Sequence, residues 1–369
     1  MNENKKIRVA ITHGDTNGIG YELIFKTFAE ETMFDLCTPI IYGSPKVAVY
    51  HRNALDIEAN FTIINSIDEV EEGRINFIPV FDEEIKVDLG YPTEESGNAG
   101  LKAINRALED YRAGGFDVLV TAPIENNPQF HFSGQSRYIE DHLLAEEQGL
   151  SMLINEKMRI ALVTRNLPLK QVVESLSVED IKSKGIQLCK SIRRDFRISN
   201  PRIAVLALNP KAGENGLLGT EEQDIIAPAI EAMEAEGVQA FGPYATDTFF
   251  GSNDWEQFDG ILAMYYDQAL TPFRAMTIEA GVNYLAGLPL VRTAPQTTDT
   301  YRGAGRGEVD EMPMRHAIYL AIDVFRNRIT YDEPMENPLQ KLYKEHRDDS
   351  EKVRFSIPKR REDRAPKGE

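Results

Sequence analysis

The stretch LAMYYDQAL, residues 262–270, changes character halfway along its length. It begins with three apolar residues, as a buried β-strand does, and continues with two tyrosines, an acid and an amide. Functional side chains of α/β proteins lie at the carboxyl ends of their strands. The stretch therefore predicts an α/β fold, with Tyr266 and Asp267 as candidate site residues beyond a strand end.

Short apolar runs alternate with amphipathic segments along most of the chain. Strands are predicted at 6–12, 38–43, 116–123, 158–164, 202–208, 259–266 and 288–293. Most of these runs are continuously apolar, a pattern typical of strands that are covered on both faces. Helices are predicted at 19–30, 98–114, 178–196, 220–237 and 314–327. This alternation predicts a mostly parallel α/β sheet.

The composition limits the partners of the protein. The chain has 369 residues and a net charge of −18 at pH 7, which argues against a nucleic-acid-binding surface but permits a local basic pocket for a small anion. Cys37 and Cys189 are the only cysteines, as is typical of a reducing compartment. The sequence shows no signal peptide and no run long enough to span a membrane. We therefore expect a cytoplasmic protein without nucleic-acid or membrane partners.

Polar clusters follow several of the predicted strands. The first, HGDTNGIG at 13–20, is a glycine-rich turn before a helix, where backbone N–H groups can face an anion. It lacks the spacing of a dinucleotide fingerprint, and His13 beside it is a candidate ligand contact. The other clusters are TAPIENN at 121–127, TRNLPL at 164–169, LNPKAGENG at 208–216, ATDTFF at 245–250 and the long segment at 281–307.

Four of these motifs, in this order, carry a resemblance to a known family: GDTNGIGYEL, LNPKAGENGLLGTEE, AMYYDQAL and GVNYLAGLPLVRT. From about residue 8 to about residue 327, the chain resembles the 4-hydroxythreonine-4-phosphate dehydrogenase family of pyridoxal phosphate biosynthesis. The resemblance implies an isocitrate/isopropylmalate dehydrogenase-like fold, with two α/β/α domains flanking a cleft. It also implies a homodimer and an NAD-dependent oxidation of a phosphorylated hydroxy-amino acid, followed by loss of carbon dioxide, in which a divalent metal polarises the oxygen.

The resemblance also implies a division of the chain. Residues 1–128 together with 288–344 are expected to form the first α/β domain. Residues 129–287 are expected to form the second domain, which carries the dimer interface and the anion-binding cleft. The charged segment 345–369 is expected to be a tail outside both domains.

The family binds its metal with three histidines, and none of them is present here. The corresponding positions hold Asn166, Lys211 and Tyr266. An amide, an ammonium and a phenol are not a usual ligand set for a divalent ion, and the ammonium would repel it. We therefore expect no metal at these positions, and we take Lys211, Tyr266 and Asp267 as the candidate catalytic residues.

The anion-binding positions of the family are better preserved. The substrate-binding positions implied by the resemblance are Gln135, Ser136, Arg274, Asn283 and Arg292. Arginine forks suit phosphate, and both arginines follow or occupy strand ends. We expect a phosphorylated small molecule as the ligand, in one cleft that is lined by these residues and by the three former metal positions.

The cofactor side departs from the family. The loop that helps to hold NAD reads Gln296-Thr297-Thr298-Asp299-Thr300 here, so Thr298, Asp299 and Thr300 are the candidate cofactor contacts. Glycines 303, 305 and 307 follow and could reshape the loop. A histidine–lysine pair of the family is replaced by glutamate and asparagine at positions 125 and 126.

Three functions remain open on these residues. The first is a dehydrogenase in which Lys211 replaces the metal as the electrophile, or acts as a base if burial near cations such as Arg165 lowers its pKa. The second is a non-catalytic paralogue that binds a phosphorylated small molecule. The third is an isomerase or decarboxylase that uses Lys211, Tyr266 and Asp267 without NAD or metal.

Overall fold

The computed structural model describes residues 6–125, 132, 134–143, 148–276, 281–297 and 299–336. Several predictions fall outside these described residues: the departure at Asn126, the cofactor contact of Thr298, the domain boundary at 128/129 and the tail at 345–369.

Within the described residues, twelve strands form one sheet. They are β1 (Ile7–Thr12), β2 (Cys37–Gly43), β3 (Phe61–Ile63), β4 (Ile75–Pro79), β5 (Val118–Thr121), β6 (Leu150–Ile154), β7 (Arg159–Leu162), β8 (Arg202–Leu206), β9 (Gln239–Tyr244), β10 (Gly260–Ala263), β11 (Val282–Ala286) and β12 (Val291–Pro295). Their order across the sheet is β3-β4-β2-β1-β5-β12-β11-β6-β7-β10-β8-β9. Only the pairings β12–β11, β11–β6 and β6–β7 are antiparallel, so the predicted mostly parallel sheet is confirmed.

Helices connect most of these strands. They are α1 (Gly20–Phe28), α2 (Met33–Leu36), α3 (Pro45–Leu55), α4 (Glu94–Arg112), α5 (Gln135–Leu143), α6 (Leu169–Ser175), α7 (Val178–Asp195), α8 (Ala227–Ala235), α9 (Thr246–Gly251), α10 (Tyr266–Met276) and α11 (Met312–Glu336). Local sequence determines several of the starts. Thr93 and Ser96 form a reciprocal capping box at α4, and the Ser177 side chain accepts the N–H of Asp180 at α7.

The helices cover both faces of the sheet, as the continuous apolar runs predict. Helices α1, α7, α8 and α11 pack on one face, while α4, α5, α9 and α10 pack on the other. Every residue of β2 is buried as a result. In the described residues, no helix combines the length and the apolar character that a membrane crossing requires.

The two halves of the sheet are formed by different segments of the chain. Residues 7–121 and 291–295 supply β1–β5 and β12, whereas residues 150–286 supply β6–β11. The hairpin of β11 and β12 joins the two halves at the middle of the sheet. The division into two domains at the expected boundaries stays a prediction.

Some predicted elements were wrong in detail. The strand predicted at 259–266 ends at Ala263, because the N–H of Met264 turns to the Gln268 side chain and α10 starts at Tyr266. The strand predicted at 288–293 starts only at Val291, after a turn in which Gly287 has a φ of +85°. The helix predicted from residue 220 begins with a π-helical segment, Glu222–Ile226. Strands β3, β4, β6, β9 and β11 were missed.

Candidate functional site

A buried arginine organises the first part of the site. Arg292, in β12, is only 3 % exposed. Its Nε and Nη2 donate to the Thr121 hydroxyl at the end of β5, and its Nη1 donates to the Ser136 hydroxyl at 3.1 Å. Nη2 also donates to Oε1 of Gln135, again at 3.1 Å. The structure therefore brings three predicted substrate-binding residues, Gln135, Ser136 and Arg292, into direct contact, and it adds Thr121 to them.

The charge of Arg292 is not neutralised by a carboxylate in the described part of the chain. Glu140 is the acid whose charge raises the pKa of Arg292, but its carboxylate is engaged by both Nη groups of Arg165, at 3.0 and 3.1 Å. Burial is the larger effect and lowers the pKa of Arg292 to about 10. The guanidinium thus remains charged at neutral pH in a place where a charge is costly without a counter-ion.

The other two predicted substrate-binding residues form a second group beside the first. Gln296 lies between them: in the orientation that satisfies both contacts, its amide oxygen is 3.1 Å from Nε of Arg274 and its nitrogen is 2.6 Å from Oδ1 of Asn283. Arg274 also donates to the carbonyl of Thr297 at 3.2 Å. Asn283 pairs with Ala294 across the hairpin, so its side chain shares a sheet face with Arg292. Their binding role stays a prediction.

The three former metal positions lie together, but elsewhere. Asn166 follows β7, Tyr266 follows β10 and Lys211 follows β8, and these strands are neighbours that run parallel. Their carboxyl ends therefore lie at one edge of the sheet. Lys211 is 68 % exposed and its Nζ is 3.4 Å from Glu214, Tyr266 is 41 % exposed, and Asn166 and Asp267 are also exposed.

Lys211 is not buried among cations in this chain, as its proposed role as a base would require. Its ammonium is mostly exposed, and Arg165, the cation expected beside it, is paired with Glu140. The side chains at the three positions also do not fit a divalent metal, because an amide, a phenol and an ammonium that has its own carboxylate partner cannot replace three imidazoles.

The expectation of one cleft lined by all of these residues stays a prediction, but a single chain keeps Lys211 far from Arg292. Three successive antiparallel pairings separate β12 from β7, so β7, β10 and β8 run opposite to β12. Arg292, near the start of β12, therefore lies level with the last residues of these strands, and its separation from Lys211 runs across the sheet. Five strand spacings separate β12 from β8, which is about 24 Å. Lys211 and Arg292 of one copy therefore cannot hold the same small ligand.

The loop that carries Lys211 is strained. All six residues from Lys211 to Gly216 have positive φ angles, and four of them are not glycine, although each such residue costs about 1–2 kcal/mol in the left-handed region. The buried carboxylate of Glu222 holds the base of the loop, because its Oε1 accepts the N–H groups of Leu208 at 2.9 Å and Asn209 at 2.7 Å. The fold, not local preference, sets the direction of Lys211.

The predicted cofactor loop, residues 299–306, is hydrogen-bonded to the glycine-rich turn. The N–H of Ile19 donates to the carbonyl of Thr300, and the N–H of Thr300 donates to Glu125 at 3.1 Å. The Tyr301 hydroxyl donates to the buried carboxylate of Asp15 at 2.9 Å, and burial raises the pKa of Asp15. Sequence reasoning missed this link, since the two residues are 286 positions apart.

A cavity of about 570 Å³ lies under this loop. It is lined by residues 89–91, Glu125 and residues of the loop between 299 and 306. Of the predicted cofactor contacts, Asp299 lines the cavity, whereas Thr300 is 4 % exposed and does not. Oδ1 of Asp299 accepts the N–H groups of Tyr301 and Arg302, and these bonds lower the pKa of Asp299.

His13 is a core residue and not the ligand contact that the sequence offered as one alternative. Its ring is fully buried and stacks on Tyr21, with 5.1 Å between the ring centroids. Burial is the main cause that lowers the pKa of His13 to about 3, and the nearby His51 adds to this effect. The ring belongs to the core beneath the turn.

Comparisons with known proteins agree with the resemblance. The family model described as pyridoxal phosphate biosynthetic protein PdxA matches residues 35–321. A 4-hydroxythreonine-4-phosphate dehydrogenase from Bacteroides thetaiotaomicron is 50 % identical over 357 residues, which cover 96 % of this chain and 98 % of that protein. One from Sulfurihydrogenibium is 32 % identical over 326 residues, covering 87 % and 99 %.

Solved structures give the same result for the fold. The crystal structure of 4-hydroxythreonine-4-phosphate dehydrogenase from Klebsiella pneumoniae has a TM-score of 0.75 and 29 % sequence identity, and covers 88 % of this chain and 99 % of that one. A structure from Salmonella typhimurium has a TM-score of 0.72 and 26 % identity, with coverages of 87 % and 100 %. The expected isocitrate dehydrogenase-like fold is thus confirmed.

Proposed function

Because the chain belongs to the PdxA family of pyridoxal phosphate biosynthetic proteins, we propose that it oxidises a small phosphorylated hydroxy acid of the 4-hydroxythreonine-4-phosphate type. A nicotinamide dinucleotide is the hydride acceptor in this proposal. The observation that carries it is the buried guanidinium of Arg292, which has no carboxylate partner among the described residues. A phosphate group would supply the missing negative charge.

The donors around Arg292 suit a phosphate monoester. The guanidinium has five N–H groups, and four of them are directed to Thr121, Ser136 and Gln135. A phosphate oxygen can take the place of the Ser136 or Gln135 acceptor, after which the serine hydroxyl becomes a second donor to the ligand. Arg274 and Asn283 lie on the same side and suit the carboxylate end of the substrate.

The cavity under the cofactor loop suits a dinucleotide. Its wall contains Gly90 and Gly303, whose positive φ angles of 85° and 83° leave backbone accessible at close range. Asp299 and Arg302 supply polar side chains on the same wall. When bound, a dinucleotide would supply the hydride acceptor, and the residues of this wall would hold and orient it.

The oxidation does not use the family's metal in this proposal, because the three positions do not fit one. We propose instead that a second copy of the chain brings its Lys211 to the Arg292 pocket, where the ammonium stabilises negative charge on the substrate oxygen. Two observations support a homodimer of this kind. Lys211 and Arg292 lie about five strands apart in one chain, and Leu169 and Leu217 expose apolar surface, 68 % and 77 % of each, near the Lys211 edge.

Formation of reduced dinucleotide from 4-phosphohydroxythreonine, in the presence of a chelator, tests the proposal directly. Arg292→Ala and Lys211→Ala homodimers should both be inactive. After subunit exchange between the two, about half of the dimers are mixed and each mixed dimer has one intact site, so about one quarter of the wild-type activity should return. Activity that needs an added metal, or no recovery in a mixture shown to exchange, would contradict it.

A second candidate is a non-catalytic protein that binds the same phosphorylated ligand. It is favoured by the loss of all three metal-binding histidines, at Asn166, Lys211 and Tyr266. Calorimetry and an activity assay separate the two functions. This candidate predicts saturable binding of the phosphate ester, no heat of binding for NAD or NADP, and no formation of reduced dinucleotide under any condition.

A further inference from the structure

The cofactor loop presents two arginines to the cavity beneath it. Arg302 and Arg306 both line the cavity, together with Asp299, Glu125 and the segment 89–91. Neither guanidinium has an ion pair or a side-chain hydrogen bond to any described residue, and both residues are exposed. We propose that these two arginines bind the 2′-phosphate of NADP, so that the enzyme prefers NADP to NAD; the inference rests on the dinucleotide-dependent oxidation proposed above.

NAD and NADP differ in one group, the 2′-phosphate on the adenosine ribose of NADP. A site for NAD usually offers a carboxylate that accepts hydrogen bonds from the ribose hydroxyls, whereas an arginine accommodates the 2′-phosphate of NADP. Both acids of this cavity are engaged with the loop itself: Asp299 accepts two backbone N–H groups, and Glu125 accepts the N–H of Thr300. The two guanidinium groups are the cationic side chains that line the cavity and remain available for the adenosine end.

The loop presents these arginines on a fixed backbone. Gly303, Gly305 and Gly307 have φ angles of +83°, +75° and +72°, and the N–H of Arg306 donates to the carbonyl of Gly303 at 3.0 Å. A side chain at Gly305 would place its Cβ 2.4 Å from Cδ1 of Leu89 on the facing wall. The Leu89 side chain would have to move to admit such a Cβ, and the positive φ angle of Gly305 itself favours glycine.

Both walls of the cavity are tied to the glycine-rich turn. The side chain of Asn17 donates to the carbonyl of Tyr91 and accepts the N–H of Asp88, and its carbonyl accepts the N–H of Gly90. The facing loop is held by the bond from Tyr301 to Asp15. The cavity is therefore largely formed before a ligand arrives, which reduces the entropy that binding must overcome.

The first test is binding of two adenosine fragments to the full-length protein by calorimetry. We expect 2′,5′-ADP to bind at least about tenfold more tightly than 5′-AMP, because a phosphate on two guanidinium groups adds charge-assisted hydrogen bonds. Arg302→Ala and Arg306→Ala should each weaken 2′,5′-ADP about tenfold and leave 5′-AMP unchanged. Arg74→Ala, which removes another exposed arginine, 52 % exposed and outside the cavity, should change neither.

The second test compares the two dinucleotides as oxidants. The ratio of kcat/KM for NADP to that for NAD should exceed one, and should fall about tenfold in either cavity variant. Equal binding of the two fragments, or a preference for NAD that the variants do not alter, would overturn the inference. If the protein reduces neither dinucleotide, the proposed oxidation is wrong. The fragment titrations still show in that case whether Arg302 and Arg306 bind a 2′-phosphate.

Discussion

Replacement of Arg292 by methionine should have opposite effects on the free and the ligand-bound protein. Methionine fills similar space without charge, and it removes a guanidinium that is 3 % exposed and lacks a carboxylate partner among the described residues. Replacing a whole buried ion pair with apolar side chains of similar volume is often neutral or stabilising, by up to about 4 kcal/mol, and a buried charge without a partner is costlier to keep than a paired one. We therefore expect the free Arg292→Met protein to be at least as stable as the wild type.

Ligand binding should make the wild type more stable than the Arg292→Met variant. Loss of at least one charge-assisted hydrogen bond costs about 1.5–3 kcal/mol of binding free energy, which corresponds to a Kd about ten to a hundred times weaker. At a concentration one hundred times the wild-type Kd, a phosphate ester stabilises the wild type by about 2.7 kcal/mol. The variant should lose about half of this stabilisation if its Kd is about ten times weaker, and most of it if its Kd is about a hundred times weaker. Arg292→Lys, which keeps the charge but not the planar fork, should fall between the two.

Urea unfolding with and without 4-phosphohydroxythreonine measures both effects, and calorimetry gives the Kd directly. An unchanged Kd in Arg292→Met would show that the phosphate binds elsewhere. A free variant destabilised by about 3–5 kcal/mol would show that Arg292 is a structural cation whose charge is compensated in the fold, and the argument for an anion pocket would end there.

Three further outcomes are expected. Burial holds the pKa of folded His13 near 3, below the value of about 6.5 in an unfolded chain, so the free energy of unfolding should fall as the pH drops from about 6.5 towards 3. The His13→Phe variant should lose about 3 kcal/mol less than the wild type at pH 4, measured by urea unfolding. Arg328→Ala breaks a buried pair with Asp195 and should cost about 3–5 kcal/mol, while Arg194→Ala, which breaks an exposed pair between the same helices, should cost under about 1 kcal/mol in thermal unfolding. Histidine at all three former metal positions should restore zinc binding, detected by metal analysis of the purified variant.

The fold was largely predictable from the sequence. The elements that were missed or shifted depend on their neighbours in the sheet more than on their own sequence pattern. Strand β11 (VNYLA) mixes polar and apolar residues, yet its antiparallel pairing with β6 and β12 buries all but one of its five residues. Strand β3 is three residues long and leaves Ile63 53 % exposed. Such a segment has no amphipathic period that a sequence could reveal.

The site was predictable as a set of residues but not as a set of distances. Motif order identified Arg292 and its neighbours Gln135 and Ser136, which the structure joins by hydrogen bonds. The family resemblance placed Lys211 in the same cleft as Arg292. It could not detect that three antiparallel pairings in the middle of the sheet reverse the direction of the second half, since strand direction depends on pairing partners that are distant in the chain.

The separation of Lys211 from Arg292 within one chain bears on whether the protein is an enzyme or only binds a phosphate ester. A chain that only binds a phosphate ester needs the Arg292 pocket, which one copy supplies complete. Such binding makes no use of the strained loop that carries Lys211, in which three residues other than glycine and asparagine lie in the left-handed region at about 1–2 kcal/mol each. If Lys211 acts on a ligand held by a second copy, Glu222→Gln should disturb the loop base and lower kcat while the Kd for the phosphate ester stays unchanged. Steady-state kinetics and calorimetry on the same preparation test this, with Glu234→Gln on the following helix as the control. Equal losses in kcat and affinity would mean that Glu222 supports the fold as a whole and that the direction of Lys211 has no part in catalysis.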